Sequence, residues 1–160
     1  MVFPKLKLGI LLFFILSVFS VSVKKSALDA PQILDLINQG REEAGLPALT
    51  LNPVLNQAAA AKAEDMILKR YFAHISPEGV KPWYWFKRVG YDYAYAGENL
   101  ASGFTDPTEL VDSWMASPGH RANILSPYYS DLGLGVIAAG NKTVVVEFFG
   151  SKDSKLTLRE

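Results

Sequence analysis

The sequence predicts an α+β domain in which helices pack on a small antiparallel sheet. Two observations carry this prediction: helical patterns dominate residues 31–125, and a β-hairpin pattern follows near the end of the chain. With 160 residues, 49% of them hydrophobic, the chain is long enough for one domain with a core and too short for two.

Two helices are predicted in the first half of the chain. Over residues 31–44 the apolar side chains share one helical face, and Gly45 is placed to end the helix. Asn52 is a predicted N-cap, with Pro53 at the first helical position of an alanine-rich helix that runs to about Lys69. Small side chains along this helix predict that a neighbouring element approaches it closely.

The residue pattern in the middle of the chain predicts loops and short helices. A loop over 71–79 contains proline and glycine, an aromatic helix over 82–89 follows, and YAYAGENLASG is predicted to be extended. Asp106 opens a capping-box pattern and therefore a helix. Ser117 before a proline predicts a similar start for a short helix over 118–125.

The end of the chain predicts a β-hairpin. Residues 132–137 alternate between two faces, Gly140 and Asn141 supply a turn, and 143–149 return as a strand rich in β-branched and aromatic residues.

Residues 1–22 have the organisation of a secretory signal peptide. Two lysines precede an apolar run over 8–21, and Ser20 and Ser22 suit a cleavage site of small residues. An uncleaved membrane anchor is the alternative, although the run is shorter than the roughly 20 residues of a bilayer span. Either way we expect a secreted protein or one of the cell envelope.

The predicted organisation is therefore a signal peptide over 1–22, a linker over 23–30, one domain over 31–150 and a charged tail over 151–160. Contact with a membrane is expected only through an uncleaved N-terminal segment.

Charge and cysteine content narrow the function classes. Removing residues 1–22 takes away two of the 16 basic residues and none of the 16 acidic ones, which leaves a formal charge of −2. A nucleic-acid partner is therefore not expected. The chain has no cysteine, so its stability rests on packing and hydrogen bonds, which suits a bacterial or archaeal exported protein better than a eukaryotic one.

Three residues stand out as a candidate site. His74 and His120 are the two histidines of the chain, and both lie beside turn or helix-start signals. His120 falls in the first turn of a predicted helix, where the helix dipole favours a neutral ring that can bind a metal or accept a proton. Glu98 lies in a segment predicted to be buried, and a buried carboxylate needs a cation, a metal or several donors. From the residues alone, the more ordinary interpretation is that each histidine only hydrogen-bonds a loop and that Glu98 braces a turn.

Several segments together resemble the CAP superfamily of cysteine-rich secretory, antigen 5 and pathogenesis-related proteins, in its bacterial SCP-like form. They are YFAHISPEG, GYDYAYAGENLASG, WMASPGHRANILSPYYSDLGLGV and VVEFFG, preceded by LINQGREEAGLPALTLNPVLNQAAAAKAEDM. The resemblance implies a three-layer α-β-α sandwich with a central cleft and a polar centre of two His and two Glu.

By the matching motifs, His74 and His120 take the two His positions and Glu98 takes the first Glu position. The second Glu has no counterpart, because Trp114 is followed by Met115, Ala116 and Ser117. The resemblance implies a divalent metal, Zn or Mg, held by the two His, with the Glu98 carboxylate acting indirectly or through water. Glu147 on the last strand is a possible replacement carboxylate, although a solvent-facing or lysine-paired residue is the more ordinary interpretation.

Other polar and aromatic residues complete the predicted site. Asn99 and Asn123 are expected to orient Glu98 or His120 through hydrogen bonds, while Arg121 is either paired with a carboxylate or solvated. The aromatic run over 83–86 cannot point entirely into one core, so one or two of its rings are expected to be exposed.

Three functions are compatible with these residues. The first is a binding module whose cleft or aromatic patch takes an extracellular lipid, glycan, peptide or protein. The second is a metal-dependent peptidase or esterase, in which Glu98 acts as general base toward a metal-held water. The third is a polar centre that only stabilises the fold.

Overall fold

A computed structural model describes residues 28–140 and 142–152. The predicted signal peptide, most of the predicted linker, Asn141 of the predicted turn and most of the charged tail lie outside these residues, so they stay predictions. Within the described part, no helix is both long enough and apolar enough to cross a membrane.

The helices form where capping residues and apolar faces predict them. They are α1 (Ala30–Glu43), α2 (Pro53–Lys69), α3 (Trp83–Arg88), α4 (Pro107–Ala116) and α5 (Pro118–Ile124). The side chains of Asn52 and Asp106 each accept two backbone N–H bonds at the starts of α2 and α4. Ser117 makes no such bond, so the proline at the start of α5 acts without a side-chain cap.

Four strands form one sheet in the described part of the chain. They are β1 (Thr50–Leu51), β2 (Tyr95–Ser102), β3 (Asp131–Ala139) and β4 (Lys142–Ser151), in the order β1-β3-β4-β2. The β2–β4 and β3–β4 pairs are antiparallel, which confirms the predicted hairpin. The sequence did not predict β1, which pairs parallel to β3, because two residues are too few to show an alternating pattern.

Helices cover both faces of the sheet, so the three-layer α-β-α sandwich is confirmed. One core lies between the sheet and helices α1, α4 and α5, and contains Trp114, Val145 and Phe149. The other lies between the sheet and helices α2 and α3, and contains Met66, Phe86 and Phe148. Because β2 is the outer strand beside β4, both layers meet along its free edge.

Glycines on β3 allow α2 to lie directly against the sheet. A Cβ atom added to Gly133 would overlap the backbone of Leu55, and one added to Gly135 would overlap the backbone of Ala59. The alanines of α2 and the glycines of β3 therefore together allow the helix to pack close to the sheet. This contact confirms the close approach that the alanine-rich sequence predicts.

Adding a methyl group at this contact tests it. Gly135→Ala should lower the free energy of unfolding in urea by at least about 1–3 kcal/mol, because the atoms it meets are backbone and cannot rotate away. Gly119→Ala is the matched control, since Gly119 has open space around it and should tolerate alanine without loss. Equal stability of the two variants would show that α2 does not approach β3 this closely.

Candidate functional site

The carboxylate of Glu98 lies at the centre of the site. Glu98 is on the edge strand β2 and is buried. One of its oxygens accepts a hydrogen bond from the ammonium group of Lys62, and the other contacts Nδ1 of His74 at 2.5 Å. The loop after α2, helix α2 and strand β2 therefore meet at one carboxylate.

Lys62 is a site residue that the sequence analysis missed. It lies on α2, its side chain is fully buried, and its ammonium group also donates to the backbone oxygen of His74 at 2.7 Å. The signal was present, because Lys62 follows the buried residues Ala58 and Ala59 and precedes Met66 at helical spacing. A lysine inside an apolar stripe needs an anion, and Glu98 is that anion.

Burial and pairing act in opposite directions on this ion pair. Burial raises the pKa of Glu98 and lowers the pKa of Lys62, while the attraction between the two charges opposes both shifts. Each charged group therefore depends on its partner, because neither would keep its charge at this depth alone.

His74 opens the site to solvent. Its side chain is 59% exposed, although its partner Glu98 is buried. With Nδ1 donating to the carboxylate, a neutral ring carries its lone pair on Nε2. His74 lines a cleft of about 380 Å³ together with Glu98 and Asn123, and its other lining residues are Ile75, Lys81, Pro82, Trp83, Ala96 and Gly97.

His120 lies on the other side of the β2 edge, on helix α5. Burial lowers the pKa of its ring, and the charge of a protonated His74 lowers it further, so the two imidazoles interact electrostatically. Within the described residues, the His120 side chain neither lines the cleft nor bonds to Glu98. The structure thus joins His74 and Glu98 directly, while among the described residues the His120 side chain makes no hydrogen bond to either of them.

The residues around Glu98 differ from the ligand set that a divalent metal needs. Both oxygens of Glu98 are engaged, and Lys62 already supplies the positive charge that a metal would bring. Across residues 28–140 and 142–152, no three His, Cys, Asp or Glu side chains are arranged to hold a metal ion. This arrangement does not fit a three-ligand centre, so the zinc or magnesium site of His74, His120 and Glu98 stays a prediction of the sequence.

Side-chain donors from the α4–α5 layer bind the outer edge of β2. Asn123 donates to the backbone oxygen of Glu98 at 3.0 Å and to the side chain of Asn99 at 2.9 Å. Tyr129 and Trp114 donate to the neighbouring backbone oxygens of Ala96 and Leu100, both at 3.3 Å. These bonds satisfy an edge that would otherwise invite another strand, and they hold Glu98 in place as the sequence analysis expected of Asn123. Arg121 is exposed to solvent.

Glu147 behaves differently from both interpretations offered by the sequence. It is fully buried and accepts a hydrogen bond from Asn99 at 2.8 Å, so the solvent-facing or lysine-paired interpretation is wrong. Asn99 and Glu147 are opposite each other on β2 and β4, whereas Glu98 is opposite Phe148. Because neighbouring residues of a strand point to opposite faces, Glu147 faces the α1, α4 and α5 layer and Glu98 faces the α2 and α3 layer.

The environment of Glu147 contains no compensating cation among the described residues. Its Oε1 atom has no hydrogen-bond partner there. Burial raises the pKa of Glu147 to about 8, and the bond from Asn99 offsets only part of that rise. Its carboxyl group is therefore protonated at neutral pH.

The aromatic run divides between core and surface as predicted. Trp85 and Phe86 are buried, Tyr84 is 50% exposed, and Trp83 lines the cleft. Trp83 is also in edge contact with Phe86, which fixes its ring against the core.

Removing the buried cation tests the Lys62–Glu98 pair. Lys62→Met should lower the free energy of unfolding by about 3–5 kcal/mol, because it leaves Glu98 buried without its counter-charge. Adding Glu98→Gln to Lys62→Met should restore at least about 1 kcal/mol, as measured by urea unfolding at pH 7. If the two substitutions lowered stability additively, the pair would not be coupled.

The protonated state of Glu147 should make stability depend on pH. In the unfolded chain its pKa has the ordinary value, so between that value and about 8 the folded state holds one more proton. Its contribution to stability therefore falls by about 1.4 kcal/mol per pH unit as pH rises through this window.

Glu147→Gln should remove this dependence and leave the variant more stable than the parent chain at pH 8. Unfolding in urea from about pH 5 to about pH 8 measures the difference. Parallel pH profiles for the two proteins would show that Glu147 ionises normally.

Known proteins share this architecture. The family model described as the cysteine-rich secretory protein family, CAP, matches residues 34–149. YkwD of Bacillus subtilis is 40% identical over 110 residues, which make up 69% of this chain and 43% of that protein. An extracellular protein with an SCP domain from Bacillus anthracis is 30% identical with a TM-score of 0.71, over 76% of this chain and 40% of that chain.

A more distant structure has the same fold. An outer surface protein of Borrelia burgdorferi is 21% identical with a TM-score of 0.70, over 79% of this chain and 97% of that chain.

The chain spans less than half the length of the curated relatives it matches. With a family model matching most of its length, and with the sandwich and the edge-strand site in place, this chain belongs to the CAP superfamily of cysteine-rich secretory proteins.

Proposed function

We propose that this chain is an extracellular ligand-binding CAP domain, and that its ligand occupies the cleft beside His74. The observation that carries the proposal is the state of Glu98, whose two oxygens are both engaged by the chain itself. A general base must reach the substrate or water, and the Glu98 side chain is only 3% exposed. Its burial and its two partners favour a role as a structural anchor for the cleft over a role as that base.

The lining of the cleft supports binding of a ligand. Ile75, Pro82 and Trp83 supply an apolar wall, while His74 and Asn123 supply a small number of polar groups. Such a combination is typical of small-molecule sites, in which apolar surface provides affinity and a few polar groups fix orientation.

Aromatic rings near the cleft favour a glycan over the other ligand classes. Tyr95 and Tyr128 stack on each other at 4.7 Å and are both at least half exposed. Neither ring lines the cleft, but Tyr95 comes directly before Ala96 and Gly97, which do. Flat aromatic surfaces that carry a polar group suit a ring that is apolar on its faces and polar at its rim. A sugar has that character.

Export of the domain is part of the proposal. The N-terminal apolar segment predicts secretion or an anchor, and two structural relatives are described as an extracellular and an outer surface protein. A cleft that takes a glycan is consistent with a place outside the cytoplasm.

One observation favours a second candidate, a peptidase or esterase. The contact between Glu98 and His74 Nδ1 orients the imidazole as an acid–base group with Nε2 available, which is the way a carboxylate orients a catalytic histidine. Hydrolysis by this route would depend strictly on His74, whereas binding by the aromatic wall would not.

Substitutions in and beside the cleft separate the two candidates. Trp83→Ala should weaken binding to an oligosaccharide at least tenfold, about 1.4 kcal/mol, in calorimetric titrations against a panel of soluble oligosaccharides. Tyr84→Ala is the matched control, because this neighbouring exposed ring lies outside the cleft lining and should leave affinity unchanged.

His74→Gln should weaken glycan binding less than Trp83→Ala does, because glutamine can still donate to Glu98 and the apolar wall remains. Peptide and ester panels with added zinc, and with a chelator, should show no turnover by the parent chain. Turnover that disappears in His74→Gln would establish the hydrolase instead, and an oligosaccharide panel without any binder would remove the glycan proposal.

A further inference from the structure

A second cavity lies at the opposite end of α2 from its N-cap. Its volume is about 490 Å³, and it is bordered by the C-terminus of α2, the residues after it, the end of β2, the last residue of β3 and the first residues of β4. It shares no lining residue with the cleft beside His74. This cavity is therefore separate from the site of the proposed function.

Two cations line this cavity without partners. Arg70 and Lys142 both line it, and among the described residues neither side chain makes a hydrogen bond or ion pair. The neighbouring Lys69 is different, since it pairs with Asp65 at 2.9 Å. Asp65 also accepts a hydrogen bond from the hydroxyl group of Tyr71. No acidic side chain of the described part lines the cavity.

Arg70 adopts an unfavourable backbone conformation at this position. It ends α2 with a φ of 59°, and it is the only non-glycine residue of the described chain with positive φ. This left-handed position normally takes glycine, because a Cβ atom makes it strained. Keeping a guanidinium group where glycine would be more stable is a cost that points to a use for the charge.

Most of the remaining cavity wall is apolar, although the hydroxyl residues Tyr71, Ser102 and Thr143 also line it. Met66, Ile67 and Val144 form its inner part, and Phe72 beside it is 50% exposed. Cations without counter-ions beside an apolar wall complement a molecule with a negative head and an apolar body.

We propose that this cavity binds a small amphipathic anion, with a carboxylate or phosphate head between Arg70 and Lys142 and an apolar body against Met66, Ile67 and Phe72. The guanidinium fork of Arg70 suits bidentate pairing with either head group, and Lys142 adds a point charge. The apolar body distinguishes this ligand from free phosphate.

Matched probes test the two halves of the ligand separately. Octanoate and octyl phosphate, each below its micelle concentration, should bind at least tenfold more tightly than octanol by calorimetry. Inorganic phosphate should also bind at least tenfold more weakly than octyl phosphate. Octanol binding as well as octanoate would overturn the role of the cations, and phosphate binding as well as octyl phosphate would overturn the role of the apolar wall.

Arg70→Gly separates the ligand role from a structural one. It removes the charge and also relieves the left-handed strain, so we expect octanoate affinity to fall at least tenfold while the melting temperature stays equal or rises. Lys142→Gln should also weaken octanoate binding, and Arg121→Gln, an exposed cation elsewhere, should not. Unchanged octanoate affinity in both Arg70→Gly and Lys142→Gln would overturn the proposal.

Discussion

The buried ion pair between Lys62 and Glu98 is the interaction on which the site depends. It joins helix α2 to the edge strand β2, and the same two side chains bind both the ring and the backbone oxygen of His74. Three parts of the chain that are distant in sequence therefore contribute to one network of charged and polar groups. Because a buried charge without a partner is far less stable than the pair, α2, β2 and the His74 loop are expected to keep their relative positions.

The two buried glutamates show how the sheet separates chemical environments. Glu98 and Glu147 lie on the paired strands β2 and β4 but face opposite layers. Glu98 has a lysine and a histidine beside it, whereas Glu147 has an amide and, among the described residues, no cation. One carboxyl group is held within an ion pair and the other is held protonated, although both belong to buried glutamates.

The polar groups of the domain concentrate at the free edge of β2, where the helical layers end. Asn123, Tyr129 and Trp114 bind the backbone oxygens of that edge from one layer, while Lys62 and His74 bind Glu98 from the other. A glycan-binding cleft at this edge and an anion-binding cavity at the far end of α2 would give the domain two separate ligand surfaces. The first would rely on aromatic contact and the second on unpaired cations.

Most of the fold was predictable because its signals are local. Asn52 and Asp106 cap their helices through neighbouring N–H groups, and the hairpin follows from alternation and a glycine turn, so short stretches of sequence contain the information. The two-residue strand β1 was not predicted, because it is defined by its pairing with the distant strand β3 and its own two residues show no pattern. The family resemblance also placed His74, Glu98 and His120 in one region, although composition and spacing alone did not.

By itself, the sequence determined the helices, the hairpin, the family and the residue types available for a site. Only the tertiary structure decided that Lys62 is the partner of Glu98, that Glu147 is buried on the opposite face, and that His74 contacts Glu98 directly. Capping and periodicity act over a few residues, whereas the charge state of a buried group depends on which distant side chains the packed layers bring within hydrogen-bond distance.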